Sequence, residues 1–372
     1  VQVRRLWLTD YRSYAEADVS FAPGLTAVLG PNGQGKTNLL EAVAHLSLLS
    51  SFRGAPADAL VRRGAQQAIV RAEAERDGRE LLVEAELKPT GRDRVQLNRQ
   101  PLRRARELAG TVLVSVFSPD DLSLVKEGPS GRRRYLDDLL VALDPAADRT
   151  RLELERVLKQ RNALLKQSGG RLTEDVASTL EVWDQKLVLA GEDLGRRRQD
   201  AVSRLAPEVA QAYRDLAAGP SAGPADAAIT YDPPWLATGL AAALAEVQRD
   251  ELRRGVSLVG PHRDELDLQL DGLLARTHSS QGEQRTFALA LRLGAHRLVT
   301  AAAGTSPVLL LDDVFSELDP DRSAALLAHL PVGQAIITSA AGLPPDATPE
   351  LVYEVRDGRV LPAAGVLGEG AA

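Results

Sequence analysis

The chain of 372 residues contains no cysteine and no methionine, and only 4% of its residues are aromatic. Without cysteine there is no disulfide scaffold, no Cys-ligated zinc site, no iron–sulfur cluster and no thiol nucleophile. Only five histidines are present, and none lies at ligand spacing from His262, so a histidine metal centre is not expected. No apolar run approaches the ~20 residues of a membrane helix. Lysine is nearly as scarce, six of the 45 basic residues, the rest being arginine; this bias reads as a GC-rich genome. A net charge of −6 excludes a uniformly basic coat but permits local basic patches. The opening Val1-Gln2-Val3-Arg4-Arg5 is not a signal peptide, and with no initiator Met the sequence is expected to lack a residue or more. A soluble, cytoplasmic protein is the expectation.

The remaining composition, 44% hydrophobic and 26% charged, is that of a globular chain long enough for two or three domains. Residues 1–117 read as strands with one helix. Leu25–Leu29 is a short apolar strand, a helix follows over Thr37–Leu49, and Asp77-Gly78 marks a hairpin. Ser118-Pro119-Asp120-Asp121 looks like a helix start. From there to Gly255 the pattern is almost wholly helical. Val176, Leu180, Trp183, Leu187, Ala190 and Leu194 form one narrow apolar seam, as in a helical hairpin, and Trp183 is read as core. Ser168-Gly169-Gly170 is expected to turn the preceding helix, Arg151–Lys166, back antiparallel. Residues 219–224 read as a loop. Strand patterns return with Leu266, Leu268 and Leu270, then Val308–Leu311, Ala335–Thr338 and Leu351–Val355. The expected organisation is an α/β head in two parts, 1–125 and 256–362, a helical insertion over 126–255, and a flexible tail, 363–372.

Gly30-Pro31-Asn32-Gly33-Gln34-Gly35-Lys36-Thr37 matches the phosphate-loop pattern between an apolar strand and a helix. Glycines let backbone N–H groups curl around phosphate oxygens, and the helix start adds positive potential. Lys36 is placed to reach the β- and γ-phosphates, and the Thr37 hydroxyl to bind Mg²⁺. Together with Asn38, these residues are the predicted ATP site. Val308–Leu311 runs into Asp312-Asp313, with Asp312 placed to hold Mg²⁺ and Asp313 to orient or deprotonate water. Ser279-Ser280-Gln281-Gly282-Glu283-Gln284 opens a long helix, and Ser316-Glu317-Leu318-Asp319 follows the acidic strand.

This order resembles the ATP-binding cassette superfamily. In that class Ser280, Gln281, Gly282 and Gln284 would cap the γ-phosphate held by an opposing copy, Asp319 would lie at the dimer seam, and ATP would join two heads. A narrower resemblance, to the RecF family, is carried by Phe117-Ser118-Pro119-Asp120-Asp121-Leu122, Val125-Lys126-Glu127-Gly128-Pro129, Arg132-Arg133-Arg134-Tyr135-Leu136-Asp137, Gly260-Pro261-His262-Arg263-Asp264 and Leu309–Asp319. Leu8–Tyr14 also resembles the start of SMC-like heads. The resemblance implies an ABC/SMC-head-like P-loop ATPase domain with an inserted all-helical, short coiled-coil-like second domain. It implies ATP-dependent dimerisation on DNA, weak DNA-stimulated hydrolysis, and work with RecO and RecR in gap repair, replication restart and the SOS response. His262 with Arg263 and Asp264 is read first as a structural turn with a salt bridge, while the family match also puts His262 near the ATP site or dimer face. Two departures stand out. Asp313 replaces the Glu usual in transporters, which implies slow turnover, and Thr338-Ser339 occupies the switch position without a His, leaving Thr338 or Ser339 as substitute sensors.

Arg132, Arg133, Arg134, Arg196, Arg197 and Arg198 are candidate contacts to DNA phosphates, as are Arg103, Arg104, Arg106, Arg253 and Arg254; solvated helix faces explain each cluster equally well. Arg12 is placed either on phosphate or at the surface. Three rivals remain at this point: a transporter ATPase subunit, against which the helical insertion is too long; an SMC-like scaffold, which needs far longer helices; and a nucleotide-gated binding module that hardly hydrolyses ATP.

Overall fold

Alternating burial along Ala68–Arg76 and Arg79–Leu87, with Ala68, Val70, Ala72, Ala74, Val83, Ala85 and Leu87 inward, makes these strands one half-covered face of an antiparallel sheet. The computed structural model describes residues 1–91, 93–108, 110–217 and 226–363, apart from the side chains of 105 and 106. The expected loop at 219–224, the tail from 364 and the Arg106 side chain lie outside the described residues. In spatial order the antiparallel sheet runs Tyr14–Ser20, Gln2–Tyr11, Ala68–Arg76, Arg79–Leu87, Arg94–Leu97, Gln100–Pro101. Asp77 and Gly78 both have positive φ, 52° and 73°, as a two-residue hairpin of matching twist requires.

A second sheet runs Arg359–Pro362, Leu351–Arg356, Leu25–Leu29, Ala335–Ser339, Val308–Asp312, Val114–Phe117, parallel throughout except for the hairpin at its Arg359–Pro362 edge. Val308–Asp312 and Ala335–Ser339 are buried at every position, which accounts for their unbroken apolar character. The helix Lys36–Leu48 touches strands of both sheets. It is buried nearly all round, by Leu39, Leu40, Ala42, Val43, Ala44 and Leu46, so its sequence shows no polar stripe. The parallel strands Leu25–Leu29, Ala335–Ser339 and Val308–Asp312 are neighbours, so the phosphate loop, Thr338-Ser339 and Asp312-Asp313 leave the same edge of the sheet, the usual position of a ligand in an open α/β sheet.

The chain divides into two compact units, one of Val1–Leu122, Gln211–Pro224 and Gln281–Ala372, the other of Ser123–Ala210 and Ala225–Ser280. This differs from the division expected at 125, 255 and 362. Residues 256–280 join the helical unit because Asp267–Leu270 pairs with Ala227–Thr230 and Leu273–Leu274 in a three-stranded sheet. The alternation of Leu266, Leu268 and Leu270 signalled the strand, but not its partner inside an otherwise helical stretch.

In the helical unit, Ala147–Gln167 and the part to Ala210 of the 43-residue helix Glu174–Leu216 are antiparallel, since Thr150 bonds Asp193 and Arg161 bonds Asp184. Leu180, Leu187 and Leu194 are buried at heptad spacing, with Val176, Trp183 and Ala190 packed beside them. Arg161 has no exposed surface. Its Nε donates to Asp184 at 2.6 Å, Nη2 to Glu251 at 2.6 Å and Nη1 to Ser257 Oγ at 2.8 Å, joining three segments of the unit. Among the described residues no helix is long and apolar enough to cross a membrane.

These buried groups set how the fold responds to mutation and to acid. Arg161→Ala leaves Glu251 buried without its cation and is expected to cost about 3–5 kcal/mol, read as a lower denaturant midpoint. His262 and His296 are each held neutral by burial, with pKa values lowered from 6.5 to about 4. Between those values the unfolded chain binds protons that the folded chain refuses. Stability is therefore complete above pH 6.5 and falls as the pH drops toward 4, by about 3 kcal/mol per histidine; His296→Gln should flatten part of that slope in thermal melts.

Candidate nucleotide site

The phosphate loop is shaped by two glycines that no other residue replaces without strain. Gly30 has φ 145°, and a Cβ there would stand 2.4 Å from the Val355 carbonyl oxygen; Gly35 has φ 117°, and its Cβ would stand 2.7 Å from Ser13 Oγ. Neighbouring turns brace the loop. Gln34 Oε1 accepts from the Asp357 N–H at 2.7 Å, Tyr14 Oη donates to the Gly35 carbonyl at 2.9 Å, and Asn38 Nδ2 donates to Ser13 Oγ at 3.0 Å. Lys36 curls over the loop and donates to the Gly30 and Pro31 carbonyls at 2.7 and 3.0 Å. Burial lowers its pKa, against the pull of Asp313 and Asp312.

Across the sheet edge, Asp312 Oδ1 accepts from Thr37 Oγ1 at 2.9 Å and from Thr338 Oγ1 at 2.8 Å. The carboxyl is almost fully buried and its pKa is raised, chiefly by burial, with the like charge of Asp313 adding and the two hydroxyls opposing. Asp313 sits in the left-handed region, φ 50°, which aspartate tolerates. Its N–H bonds both Thr338 O and Thr338 Oγ1, and its Oδ1 accepts from Ser316 Oγ at 2.5 Å and the Ala340 N–H at 3.1 Å. Thr338 and Ser339 are both buried. Their hydroxyls are committed, Thr338 to Asp312 and Ser339 to the Gly342 carbonyl at 2.5 Å. The sensor role considered for them is thereby replaced by a supporting one: Thr338 fixes both acids.

A polar cleft opens between Asn32, Gly33, Lys36, Thr37, Arg53 and Asp313. Arg53 was missed by sequence reasoning; its only signal was a place just after the phosphate-loop helix. Its N–H rests on Ser51 Oγ, which bonds the fully buried Glu41. Arg12 is neither on phosphate nor free at the surface. It grips Glu41 through Nε and Nη2, both at 2.7 Å, and the Ala59 carbonyl at 3.0 Å, and so anchors the segment that carries Arg53.

None of the cleft's described lining comes from Ser280–Gln284. Ser280 is exposed just ahead of the helix Gln281–Ala303, with Gln281 exposed and Gly282 half-buried in its first turn. Gln284 is only 6% exposed, so this side chain, expected to cap a partner's phosphate, is turned into the protein's own packing. Asp319 caps the helix Pro320–Ala328 with its side chain about half exposed.

The candidate DNA contacts fare unequally. Arg132 is buried, bonding Glu265 twice and the Leu124 and Glu127 carbonyls, and Arg198 is buried on Asp137 and the Pro261 carbonyl. Neither is open to a phosphate, because each neutralises a carboxylate inside the helical unit. Arg133 donates to the Asp264 carbonyl, and Arg197 pairs with Asp193 and Asp144. Arg134 and Arg196 remain mostly exposed, beside Asp138 and Glu192. The Gly260–Asp264 turn is likewise structural: Tyr231 and Trp235 both donate to Asp264, at 2.5 and 2.7 Å, and His262 Nε2 lies 3.1 Å from the Ser257 carbonyl.

Residues 2–341 match the family model described as the RecF/RecN/SMC N terminal domain. The chain is 45% identical to the DNA replication and repair protein RecF of Streptomyces avermitilis, over 92% of this chain and 94% of that protein. The chain belongs to the RecF family. The RecF of a Nocardioides species is 43% identical over 91% of this chain and 94% of its own length. Among solved structures, the recombination mediator protein RecF-ATP of the RecFOR pathway superposes with a TM-score of 0.88 at 29% identity, covering 98% of each chain. An Smc head domain from Pyrococcus furiosus, at 16% identity and a TM-score of 0.56 over 97% and 96% of the two chains, shares the fold. An SMC/ABC-type ATPase head carrying a helical insertion is therefore the architecture, as the resemblance implied.

Thr338→Val removes the hydroxyl that supports both acids. Asp312 would lose one of two bonds favouring its charged form, so its pKa should rise further. Nucleotide binding is expected to weaken about tenfold, and more at acid pH, in a titration of a fluorescent nucleotide, with the melting temperature lowered by a few degrees at most.

Proposed function

We propose that this chain is an ATP-dependent, DNA-binding recombination mediator in which two copies close around two nucleotides and reopen on slow hydrolysis. The observation that carries this reading is the bond from Thr37 to Asp312, which joins the phosphate loop to the acidic strand at the mouth of the cleft. Relatives named as DNA replication and repair proteins, and RecF solved with ATP, support it.

Lys36 would exchange two backbone carbonyls for β- and γ-phosphate oxygens, while the N–H groups of Asn32–Asn38 close on the rest. Thr37 Oγ1 and Asp312 Oδ1 are hard oxygen donors side by side, a fit for Mg²⁺. No group of three or more metal-ligating side chains occurs among the described residues, so phosphate and water oxygens would complete its shell. When bound, the ion supplies charge neutralisation on the phosphates. Asp312 then stays ionised despite its burial. Asp313 orients or deprotonates the attacking water; its short side chain, tethered by Ser316 and Ala340, suits slow turnover. Ser280, Gln281 and Gly282 approach the nucleotide of the other copy, with Asp319 at the seam. DNA phosphates fall to the exposed arginines, Arg134 and Arg196 among the six candidates, and RecO, RecR and gapped DNA are the partners, in gap repair, replication restart and the SOS response in the cytoplasm.

Mass analysis with ATP and gapped DNA tests this. The Asp313→Asn variant, slow to hydrolyse, is expected at twice the chain mass. Lys36→Ala should bind ATP about a hundredfold more weakly and stay single. An Asp313→Asn chain that remains single at saturating ATP contradicts the reading.

A further inference from the structure

Arginine is electrostatically out of place at residue 322. The helix Pro320–Ala328 is capped by Asp319, so a cation in its first turn meets the positive end of that helix. The guanidinium also lies against a second helix start. A Cβ on Gly282 would stand 2.8 Å from Arg322 Nη1 and 3.2 Å from Nη2, so the planar fork covers the first turn of Gln281–Ala303 where the backbone carries no side chain. Asp319 compensates this charge: Oδ2 accepts from Arg322 Nη1 at 2.7 Å and Oδ1 from the Arg322 N–H at 2.9 Å.

A second arginine fastens the same two elements. Arg285, on Gln281–Ala303, donates from Nη1 to the Glu317 carbonyl at 3.1 Å and sets Nη2 3.2 Å from Glu317 Oε2. The segment Glu317–Asp319 is thus tied at both ends to the start of that helix. Ser316, the residue before it, bonds Asp313 at the cleft.

We propose that Arg322 is a positioning residue that locks Asp319 to the first turn of Gln281–Ala303, so that both present one rigid face to the nucleotide held by a second copy of this chain. The inference rests on the two-copy reading above. A flat fork both covers Gly282 and pairs with the carboxylate; the point charge of a lysine does only the second.

The test compares ATP-driven dimerisation, by sedimentation, with ATP binding to the single chain and with melting temperature. Arg322→Ala is expected to bind ATP and melt like the wild type, yet to need about tenfold more ATP to dimerise. Arg322→Lys should recover part of that loss. In an Asp319→Ala background, Arg322→Ala should add nothing, because it acts through that carboxylate. Unchanged dimerisation of Arg322→Ala beside a dimerising wild type overturns the role of Arg322 alone, and so does a full additive loss in the Asp319→Ala background. A wild-type chain that stays single at saturating ATP overturns the two-copy reading and this inference with it.

Discussion

One buried carboxyl oxygen organises the site. Asp312 Oδ1 receives the hydroxyls of Thr37 and Thr338, which come from two other parallel strands or their loops, and so pins three strand ends to one point. Burying that carboxyl is unfavourable, as its raised pKa shows, and two neutral hydroxyls only partly offset the cost. The arrangement is stable enough to fold yet still short of positive charge. Under the function proposed above, a divalent cation with a triphosphate would answer that shortage.

The surrounding layers serve the same point. The phosphate-loop helix is buried between two sheets, so the loop at its start cannot drift. Tyr14, Gln34 and Asp357 hold the loop's outer rim, and Glu41, buried in that helix, draws Arg12 and Ser51 together behind Arg53. Freedom to rearrange is left to Lys36, whose bonds to the Gly30 and Pro31 carbonyls are exchangeable.

Much of this is legible in the amino-acid sequence because the chemistry is local. The phosphate loop, the acidic strand and the heptad leucines of the long helix each need a fixed spacing of a few residues, and spacing is what a sequence displays. Less legible are features decided by distant partners. The strand Asp267–Leu270 finds Ala227–Thr230 within helical surroundings, and this moves residues 256–280 to the other unit. Arginine clusters look alike on paper, yet Arg132 and Arg198 are themselves buried, on Glu265 and Asp137, while Arg134 and Arg196 face solvent. Gln284 belongs to a motif but is turned inward, and Thr338 serves the acids where a phosphate sensor was sought.

The central claim is that a complete site needs the cleft of one copy and the Ser280–Gly282 face of another. Mixing two inactive variants, Lys36→Ala and Ser280→Arg, measures this most directly through ATP hydrolysis. Mixed pairs would contain one composite site with an intact Lys36 and an intact Ser280, so the account predicts that turnover returns on mixing. Hydrolysis that stays absent in the mixture, while both variants fold and assemble with each other, would contradict it.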